Sequence, residues 1–591
     1  MKLYTPRIIF PIILFSGTFF SFGGAFGIAA QTCNARLELN AGAKMRDGVM
    51  LRADVFRPLA DGKYPVIVLR TPYNRITSFA AGCRYAEAGY IAVIQDVRGR
   101  FGSPGSWYPF VNEPLDGYDT IEWAAGLPGS DGRVVMVGGS YTGSVQVAAA
   151  LQHPPHLAGL SMFATPFGQQ DGGLHAGGAL AQLALETWTS LMAQDASNKF
   201  AMLGWVVSKP GNQVDVLPLS SFQALALPPT STVAPYFADW LAHPDYDDYW
   251  KALEVSSPFS SVRVPAIHVG GWYDVYTAAT LHAFMVMRAA AKSDGERRNL
   301  RLIMGPWTHG SLARRQCAVD FGPEASLDEL ETDIQWYDAL LKGVDNGFLR
   351  GKPVKLFVMG KNVWREEDDW PLARAKETRF YLHSAKGAQS AEGDGSLTAA
   401  LPSQEPADHY TYDPANPVPT RGGGLCCSFQ FVGGPYDQRT IEARKDVLVY
   451  STPPLDHDTE VTGPIAIELY VSSSAKDTDF TGKLVDVDSS GFARNVTEGI
   501  LRARYRNSFS KQEMMTAGTV YKLHIEMSPT SNVFLAGHRI RLEVASSNFP
   551  HYDRNLNTGG DQAHSSEMLS ADNAVYHDRE HPSAIILPLI P

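Results

Sequence analysis

A strand-like run that passes through glycines into a serine, and then into a helix-like run, constrains the fold of this chain most strongly. The letters VVMVGGSYTGSVQVAAA occupy residues 134–150. Glycine accepts the positive φ that a sharp strand-to-helix turn requires, and such a turn exposes the serine hydroxyl at its apex. Thr142 and Gly143 make the spacing differ by one residue from G-x-S-x-G. The stretch therefore predicts a strand, a sharp turn and a helix, with Ser140 at the turn.

Short apolar runs alternate with helical segments on both sides of this turn. After a hairpin turn at Gly48, strands are predicted at 64–69, 90–95, 134–137, 159–165, 264–269 and 300–304, with helices at 79–88, 115–125, 278–290 and 326–343. This alternation is typical of a mostly parallel sheet with helices on both faces. Active groups collect at the carboxyl ends of such strands. We therefore expect Tyr73, Asp96 and Ser140, which each follow a strand, at one edge of the sheet.

The pattern changes twice along the chain. Residues 167–257 are rich in alanine, leucine and tryptophan, which predicts a helical cap inserted into the sheet domain. From residue 352 the apolar residues recur with period two, which predicts an antiparallel β-sandwich. The predicted segments are a signal peptide at 1–30, two parts of an α/β domain at 31–166 and 258–351, the helical cap at 167–257 and the sandwich at 352–591.

The N-terminus has the composition of a secretory signal. Lys2 and Arg7 precede an uncharged apolar run at 8–28, and Ala29-Ala30 fit a cleavage site. Cleavage predicts a secreted or periplasmic protein that no longer contacts the membrane. A retained anchor is the alternative, because the run is just long enough to span a bilayer.

Charge and cysteine content narrow the possible partners. The formal net charge is -11, so nucleic acid is not an expected partner. The five cysteines fit no metal-site spacing, and their odd number leaves at least one without an intrachain partner. We interpret the adjacent Cys426 and Cys427 as a structural feature rather than a redox centre.

Three residues with complementary chemistry follow three predicted strands, in the order Ser140, Asp274, His309. A serine is a poor nucleophile at neutral pH until a base takes its proton. Histidine titrates near neutrality, and a carboxylate fixes its tautomer and stabilises the imidazolium. Sheets of the α/β-hydrolase type carry nucleophile, acid and histidine in this chain order. The sequence therefore predicts a catalytic Ser-His-Asp triad.

An acyl-transfer site also needs donors for the oxyanion that forms on the substrate carbonyl. The backbone N–H of Tyr141, directly after the serine, is the first candidate. The hydroxyl of Tyr73, in the loop after an earlier strand, is the second. A packing role for Tyr73 beside Pro72 is the alternative that its position alone leaves open.

Several longer motifs resemble those of one family. They are RTPY at 70–73, DVRG at 96–99, GGSYTG at 138–143, GWYD at 271–274, GPWTH at 305–309, PTSNVF at 529–534, GHRIRL at 537–542 and SSNFP at 546–550. From about Met45 to Leu587 the chain resembles the CocE/NonD family of serine hydrolases, a group of esterases, acylases and X-Pro dipeptidyl-peptidases. The resemblance implies an α/β-hydrolase sheet with an inserted helical cap and a C-terminal jelly roll. It also implies that Tyr73 is the oxyanion tyrosine.

The residues around the predicted triad bear on the substrate. No acid follows Asp274 in residues 275–278, and Asp171 is interpreted as a solvated loop residue, so an α-amino acyl group is disfavoured. An apolar acyl pocket formed by aromatic side chains is the competing expectation. Its candidates, each also compatible with an ordinary core position, are Trp188, Trp272 and Tyr276. Asp96 and Arg98 are expected to pair structurally near the site.

Together these features predict an exported serine hydrolase that cleaves ester or amide bonds of small acyl substrates through an acyl-enzyme. Neither a metal nor an organic cofactor is implied. The runner-up is a β-lactam acylase, an α-amino acid ester hydrolase or an X-Pro dipeptidyl-peptidase, and the remote alternative is a non-catalytic glycan-binding protein. The sequence leaves a homo-oligomer possible and does not determine the oligomeric state.

Overall fold

The computed structural model describes residues 33–166, 173–197, 214–222, 234–254, 257–428 and 430–591. The predicted signal peptide and Asp171 lie outside these residues. The chain divides into two compact units. Among the described residues, the first contains those in the ranges 33–161, 264–266 and 328–348, and the second contains those in the ranges 162–263, 267–327 and 349–591.

The sheet that was predicted around Ser140 is present in the first part of the chain. Its elements are β1 (Arg36–Lys44), β2 (Met50–Arg57), β3 (Tyr64–Thr71), β4 (Ile91–Asp96), β5 (Ser130–Gly139) and β6 (Leu157–Phe163), with α1 (Phe79–Glu87), α2 (Glu113–Ala125) and α3 (Tyr141–Ala150). The strand order is β1-β2-β4-β3-β5-β6. Strand β3 is parallel to both β4 and β5, and the β1–β2 hairpin pairs antiparallel with β4. The central strands are therefore parallel, as the alternation predicts.

Burial explains why these elements were readable from the sequence. All six residues of β4 are buried, as expected for a strand that is covered on both faces. Every residue of α3 is also buried. Strand β1 was not predicted, although Leu37, Leu39, Ala41 and Ala43 alternate with polar residues and glycine; most of its residues, the two leucines included, are exposed. A disulfide between Cys33 and Cys83 links the segment before β1 to α1.

The described residues between 173 and 351 contain the helices of the predicted insertion, followed by further strands and helices. Their elements are β7 (His175–Ala176), β8 (Ala179–Leu180), α4 (Gln182–Ser197), α5 (Pro235–Ala242), α6 (Asp248–Leu253), β9 (Ala266–Tyr273), α7 (Thr277–Ala290), α8 (Asp294–Arg298), β10 (Leu300–Thr308), β11 (Arg315–Gln316), β12 (Val319–Asp320) and α9 (Glu329–Leu341). Three of these helices, α4 to α6, fall within 167–257, the segment predicted to be helical. None of the helices in the described ranges combines the length and apolarity needed to cross a membrane.

The C-terminal part is built almost entirely of strands. They are β13 (Val354–Val358), β14 (Val363–Glu367), β15 (Lys376–His383), β16 (Ser396–Thr398), β17 (Asp408–Tyr412), β18 (Leu448–Ser451), β19 (Thr459–Ser473), β20 (Asp479–Val487), β21 (Ala493–Arg502), β22 (Tyr521–Phe534), β23 (Arg539–Ala545), β24 (Ala571–Tyr576) and β25 (Ala584–Ile590), with one short helix, α10 (Arg439–Glu442). Eleven of them form one sheet in the order β17-β24-β19-β25-β15-β16-β18-β23-β20-β21, with β22 paired to β19. The molecule is thus an α/β hydrolase with a C-terminal β domain.

The first two strands after residue 352 belong to the other sheet. Strand β13 pairs in parallel with β10, with Leu302 opposite Val354, and β14 pairs antiparallel with β13. The predicted boundary at residue 352 therefore precedes two strands that extend the β9-β10 pair rather than the β domain. A five-residue alternating run fits either sheet, and only its pairing partner distinguishes the two.

Candidate active site

Ser140 occupies the turn between β5 and α3 in a backbone conformation that side-chain-bearing residues rarely adopt. Its φ is 55° and its ψ is -129°. Gly138, two residues earlier, has a φ of 131°, and a Cβ at that position would overlap the hydroxyl of Thr142. The glycine is needed here because both its φ and its close neighbour exclude a side chain. The strain at Ser140 is of the kind that nucleophile-bearing turns store.

Three side-chain and backbone contacts hold this turn. The Thr142 hydroxyl donates to the Gly139 carbonyl at 2.6 Å. The buried amide of Gln146 donates to the carbonyls of Gly138 at 3.0 Å and of Ser161, in β6, at 2.7 Å. Sequence reasoning missed Gln146 as a support for the turn. A buried polar residue on an otherwise apolar helix was the available signal, because such a residue requires hydrogen-bond partners.

The side chain of Tyr141 is buried beneath the turn. Its hydroxyl donates to Glu113 at 3.0 Å and accepts the Phe110 N–H at 3.1 Å, while its ring stacks on Phe110. Burial raises the pKa of Glu113, although the buried guanidinium of Arg70, 2.9 Å away, opposes that shift. The Tyr141 side chain therefore anchors the N-terminus of α3, and the predicted oxyanion role concerns its backbone N–H.

Tyr73 follows β3 directly and is half-buried. Its backbone N–H donates to the Thr71 hydroxyl at 3.0 Å, and the preceding Pro72 carbonyl accepts from Arg100 at 2.9 Å. The loop that carries Tyr73 is therefore fixed from both sides.

The expected pairing of Asp96 with Arg98 is wrong. Asp96 pairs with Arg75 and accepts the Arg75 backbone N–H at 2.7 Å. Arg98 instead pairs with Asp116 at 2.6 Å and with Asp47 at 2.7 Å. Two residues so close in sequence, on one tight turn, direct their side chains to different elements.

The second unit brings together the other two predicted triad residues. The imidazole Nδ1 of His309, which follows β10, lies 3.0 Å from Oδ2 of Asp274, which follows β9. The second carboxylate oxygen of Asp274 accepts the Tyr276 backbone N–H at 2.7 Å. Asp274 is buried, and the Thr277 hydroxyl donates to its carbonyl at 2.7 Å. Such a pair holds one imidazole nitrogen protonated and fixes the plane of the ring.

The glycines and tryptophans around this pair have a packing explanation. A Cβ at Gly271 would overlap the Trp307 carbonyl, and one at Gly305 would overlap the Trp307 ring. The Trp307 indole donates to the Ala325 carbonyl at 2.6 Å. Strands β9 and β10 therefore approach closely at Gly271, and Gly305 leaves room for the Trp307 ring of its own strand.

The three aromatic residues proposed for an acyl pocket occupy different environments. Trp272 is 2% exposed and donates its indole N–H to the Phe357 carbonyl at 2.8 Å, so it has the geometry of a core residue. The ring of Trp188 packs against Trp240 in α5, with centroids 6.1 Å apart. The ring of Tyr276 meets the His309 imidazole edge-on at 5.2 Å. Tyr276 therefore contacts a predicted triad residue, His309.

Ser140, Tyr73 and Tyr141 lie in the first unit, and Asp274 and His309 lie in the second. Each group has the local geometry that acyl-transfer chemistry requires: a strained serine at a helix N-terminus, and a histidine oriented by a buried carboxylate. Their assembly into one triad remains a prediction.

Comparison with known proteins identifies the family. Residues 47–311 match the X-Pro dipeptidyl-peptidase (S15 family), and residues 346–586 match the X-Pro dipeptidyl-peptidase C-terminal non-catalytic domain. Cocaine esterase of Rhodococcus sp. (strain MB1 Bresler) is 37% identical over 588 residues, which cover 94% of this chain and 99% of that protein.

Solved structures agree over nearly the whole chain. An aminopeptidase from a marine sediment Thaumarchaeota archaeon has a TM-score of 0.81 at 26% identity and covers 98% of this chain and 100% of that one. An α-amino acid ester hydrolase has a TM-score of 0.80 at 24% identity and covers 96% and 98%, which shows a shared fold. The chain therefore belongs to the CocE/NonD family and is a serine hydrolase of ester or amide bonds.

Proposed function

We propose that this protein hydrolyses esters of small acyl groups, with Ser140 as nucleophile, His309 as base and Asp274 as the carboxylate that orients the base. The observation that carries the proposal is the backbone of Ser140, whose φ of 55° at the start of α3 is otherwise costly. The hydrogen bond between His309 and Asp274 supports the remaining roles.

The proposed reaction has two halves. His309 Nε2 takes the Ser140 proton while the serine oxygen attacks the ester carbonyl carbon, and the carbonyl oxygen becomes an oxyanion. The Tyr73 hydroxyl and the Tyr141 N–H donate to that oxyanion. The alcohol leaves with the proton from His309. Water, deprotonated by the same histidine, then attacks the acyl-enzyme and releases the acid. Throughout, Asp274 stabilises the imidazolium through Nδ1.

Two features favour esters over substrates with a free α-amino group. Residues 275–278 after Asp274 contain no carboxylate to meet an ammonium group. The most extensive sequence likeness reported above is to a protein named as an esterase. The competing candidates in the substrate test are amides and X-Pro peptides. They are suggested by the family description and by the similar aminopeptidase structure.

Labelling with a fluorophosphonate probe tests the nucleophile. We expect the probe to label the wild-type protein and to leave Ser140→Ala unlabelled. Peptide mapping of the adduct should place it on the tryptic peptide that contains Ser140. Labelling of Ser140→Ala at the wild-type level, or an adduct on another serine, would contradict the assignment.

A substrate panel on one preparation tests the acyl class. It compares aryl esters of short acids, glutaryl amides, α-amino esters and X-Pro anilides by kcat/KM. We expect the aryl esters to lead. A preference for α-amino esters would show that an ammonium site exists, and a preference for X-Pro anilides would show in addition that ester hydrolysis is not the principal activity.

We also propose that the protein is exported. The basic residues Lys2 and Arg7, followed by the apolar run, support a signal peptide. The Cys33–Cys83 disulfide just after it supports an oxidising compartment. N-terminal sequencing of protein from the periplasm or culture fluid should begin near Gln31. Recovery in the membrane fraction with Met1 intact would contradict export by cleavage.

A further inference from the structure

A loop of the β domain closes on itself next to Asp274 and His309. Its ends pair through two backbone hydrogen bonds, from the Gly423 N–H to the Gly434 carbonyl at 2.9 Å and in the reverse direction at 2.8 Å. We call it the 423–434 loop; its residue 429 lies outside the described residues. These two bonds hold Gly423 and Gly434 side by side.

The ends of the loop lie close to Asp274 and to the residue before His309. A Cβ at Gly424 would lie 3.2 Å from the Asp274 carbonyl oxygen. A Cβ at Gly434 would lie 3.2 Å from the side chain of Thr308, the residue before His309. A displacement of this loop would therefore act on both partners of the hydrogen bond that orients the imidazole.

Two adjacent cysteines in the loop form a disulfide. Cys426 and Cys427 are bonded to each other, which closes a ring through the peptide bond between them. Cys427 has a φ of 68°, a region that residues with side chains rarely adopt. Leu425, next to the ring, packs into a buried cluster with Leu183 and Phe549. The ring thus restrains the backbone where the loop is anchored to the interior.

The fifth cysteine holds the other end of the loop. The Cys317 thiol donates to the Gly433 carbonyl at 2.8 Å, and burial raises the pKa of this thiol, which keeps it protonated as a donor. Cys317 follows His309 by eight positions and comes directly after β11. All three cysteines of the second unit therefore bear on one loop beside the pair.

We infer that the Cys426–Cys427 disulfide positions the Asp274–His309 pair, so that the hydrolase is redox-sensitive through the 423–434 loop. The inference rests on the proposed function. Reduction by a dithiol breaks the S–S bond; two electrons and two protons pass to the sulfurs, which become thiols, and the dithiol closes to its cyclic disulfide. Without the ring, Cys427 can leave its left-handed conformation and the loop loses its fixed contact with Asp274.

The experiment uses Cys33→Ser/Cys83→Ser as background, so that Cys426–Cys427 is the one remaining disulfide. Alkylation of the untreated full-length protein should modify a single thiol, Cys317. Dithiothreitol should then lower kcat for an aryl ester by about 5-fold to 100-fold, the range that a small misplacement of a catalytic group can produce. KM should change less, and reoxidation should restore kcat.

Two variants in the same background serve as controls. Cys426→Ser/Cys427→Ser should start at the reduced kcat and should not respond to dithiothreitol. Cys317→Ser should still lose activity on treatment with dithiothreitol, because the Cys426–Cys427 disulfide is intact in this variant. Three alkylated thiols before reduction, an unchanged kcat after reduction, or full activity of Cys426→Ser/Cys427→Ser would each overturn the inference.

A readout independent of turnover separates this inference from the proposed function. The hydrogen-bonded Nδ1 proton of His309 should give a low-field proton resonance that is absent in His309→Gln. We expect reduction to shift or broaden that resonance. Failure of fluorophosphonate labelling would count against the nucleophile, whereas a resonance that does not change on reduction would count against the positioning role of the disulfide.

Discussion

Two Asp–His pairs in the second unit have almost the same length and different surroundings. The Asp274–His309 distance is 3.0 Å, and the Asp408–His577 distance in the β domain is 2.9 Å. The His309 side chain is 12% exposed, whereas the His577 side chain is 0% exposed. A short hydrogen bond between imidazole and carboxylate is therefore not what distinguishes a candidate base from a structural histidine.

The β-domain pair even includes a serine, but its connectivity excludes base catalysis. The Ser384 hydroxyl lies 2.8 Å from Asp408 and 3.4 Å from His577 Nε2, the same nitrogen that Asp408 contacts. In a triad the serine and the carboxylate meet opposite nitrogens. The other nitrogen of His577 lies 3.3 Å from Glu405. Both nitrogens of the ring therefore face carboxylates, and Ser384 lies on the side that Asp408 occupies.

His577 also has two carboxylates beside it. Burial by itself would lower the pKa of His577, but the hydrogen bond to Asp408 and the charges of Asp408 and Glu405 outweigh it and raise that pKa. A raised pKa favours the charged form of His577, which suits an ion-pair partner of the two carboxylates. The comparison shows that access and the number of acidic neighbours decide the role of such a pair.

Replacing Ser140 or Ser384 should give the largest difference in activity between the two clusters. We expect Ser140→Ala to lose about 10⁶-fold in kcat, because the nucleophile is removed. Ser384→Ala should keep wild-type kcat, since its hydroxyl only donates within the buried cluster. Ester turnover of both purified variants measures the difference. Comparable losses in the two would show that the proposed nucleophile is misassigned.

Replacing the two aspartates should separate activity from stability. Asp274→Asn should lower kcat by about 10⁴-fold, because the wrong imidazole tautomer is favoured. Asp408→Asn should leave kcat of the folded protein unchanged and lower the free energy of unfolding by about 3–5 kcal/mol, because it leaves a buried imidazolium without its partner. Kinetics and urea unfolding of both variants test this, and an exchange of the two phenotypes would refute the distinction.

Two tyrosines give a smaller contrast. Tyr73→Phe should lower kcat by about 10²–10³-fold with little change in Tm, since it removes one proposed oxyanion donor. Tyr450 donates to Asp408 at 2.7 Å. Tyr450→Phe should cost about 1 kcal/mol of stability and no activity. An equal kcat for Tyr73→Phe and wild type would show that Tyr73 has a packing role beside Pro72 and is not an oxyanion donor.

The pH dependence of stability should show the smallest effect. Because the folded-state pKa of His577 is raised above its ordinary value of 6.5, its contribution to stability is complete below about pH 6.5 and is lost as the pH rises through the folded pKa. The slope is at most about 1.4 kcal/mol per pH unit for one proton. His577→Gln should flatten Tm against pH above about pH 6.5, whereas the exposed neighbour His409→Gln should keep the wild-type slope. Parallel curves for both variants would contradict the ion-pair role.

Periodicity made the regular elements of the α/β part readable and left its edges unreadable. The buried strands and their helices were predicted within a few residues. The exposed β1 was missed, and β13 was assigned to the wrong sheet, because an alternating run reports which faces are buried and not which strand is the partner. The same limit applied to Asp96 and Arg98, whose partners come from distant segments.

What the sequence by itself determined is the family, the fold class and the chemistry in chain order. The turn at Ser140 and the strand-end positions of Asp274 and His309 could be predicted. Local backbone geometry and the end of a strand depend on residues that are neighbours in the sequence. Only the tertiary structure decided that Gln146 holds the turn, that Trp272 is a core residue and that a disulfide-closed loop touches Asp274. These are contacts between residues far apart in the chain, and a hydrogen bond or a packed surface depends on where the second partner lies in space.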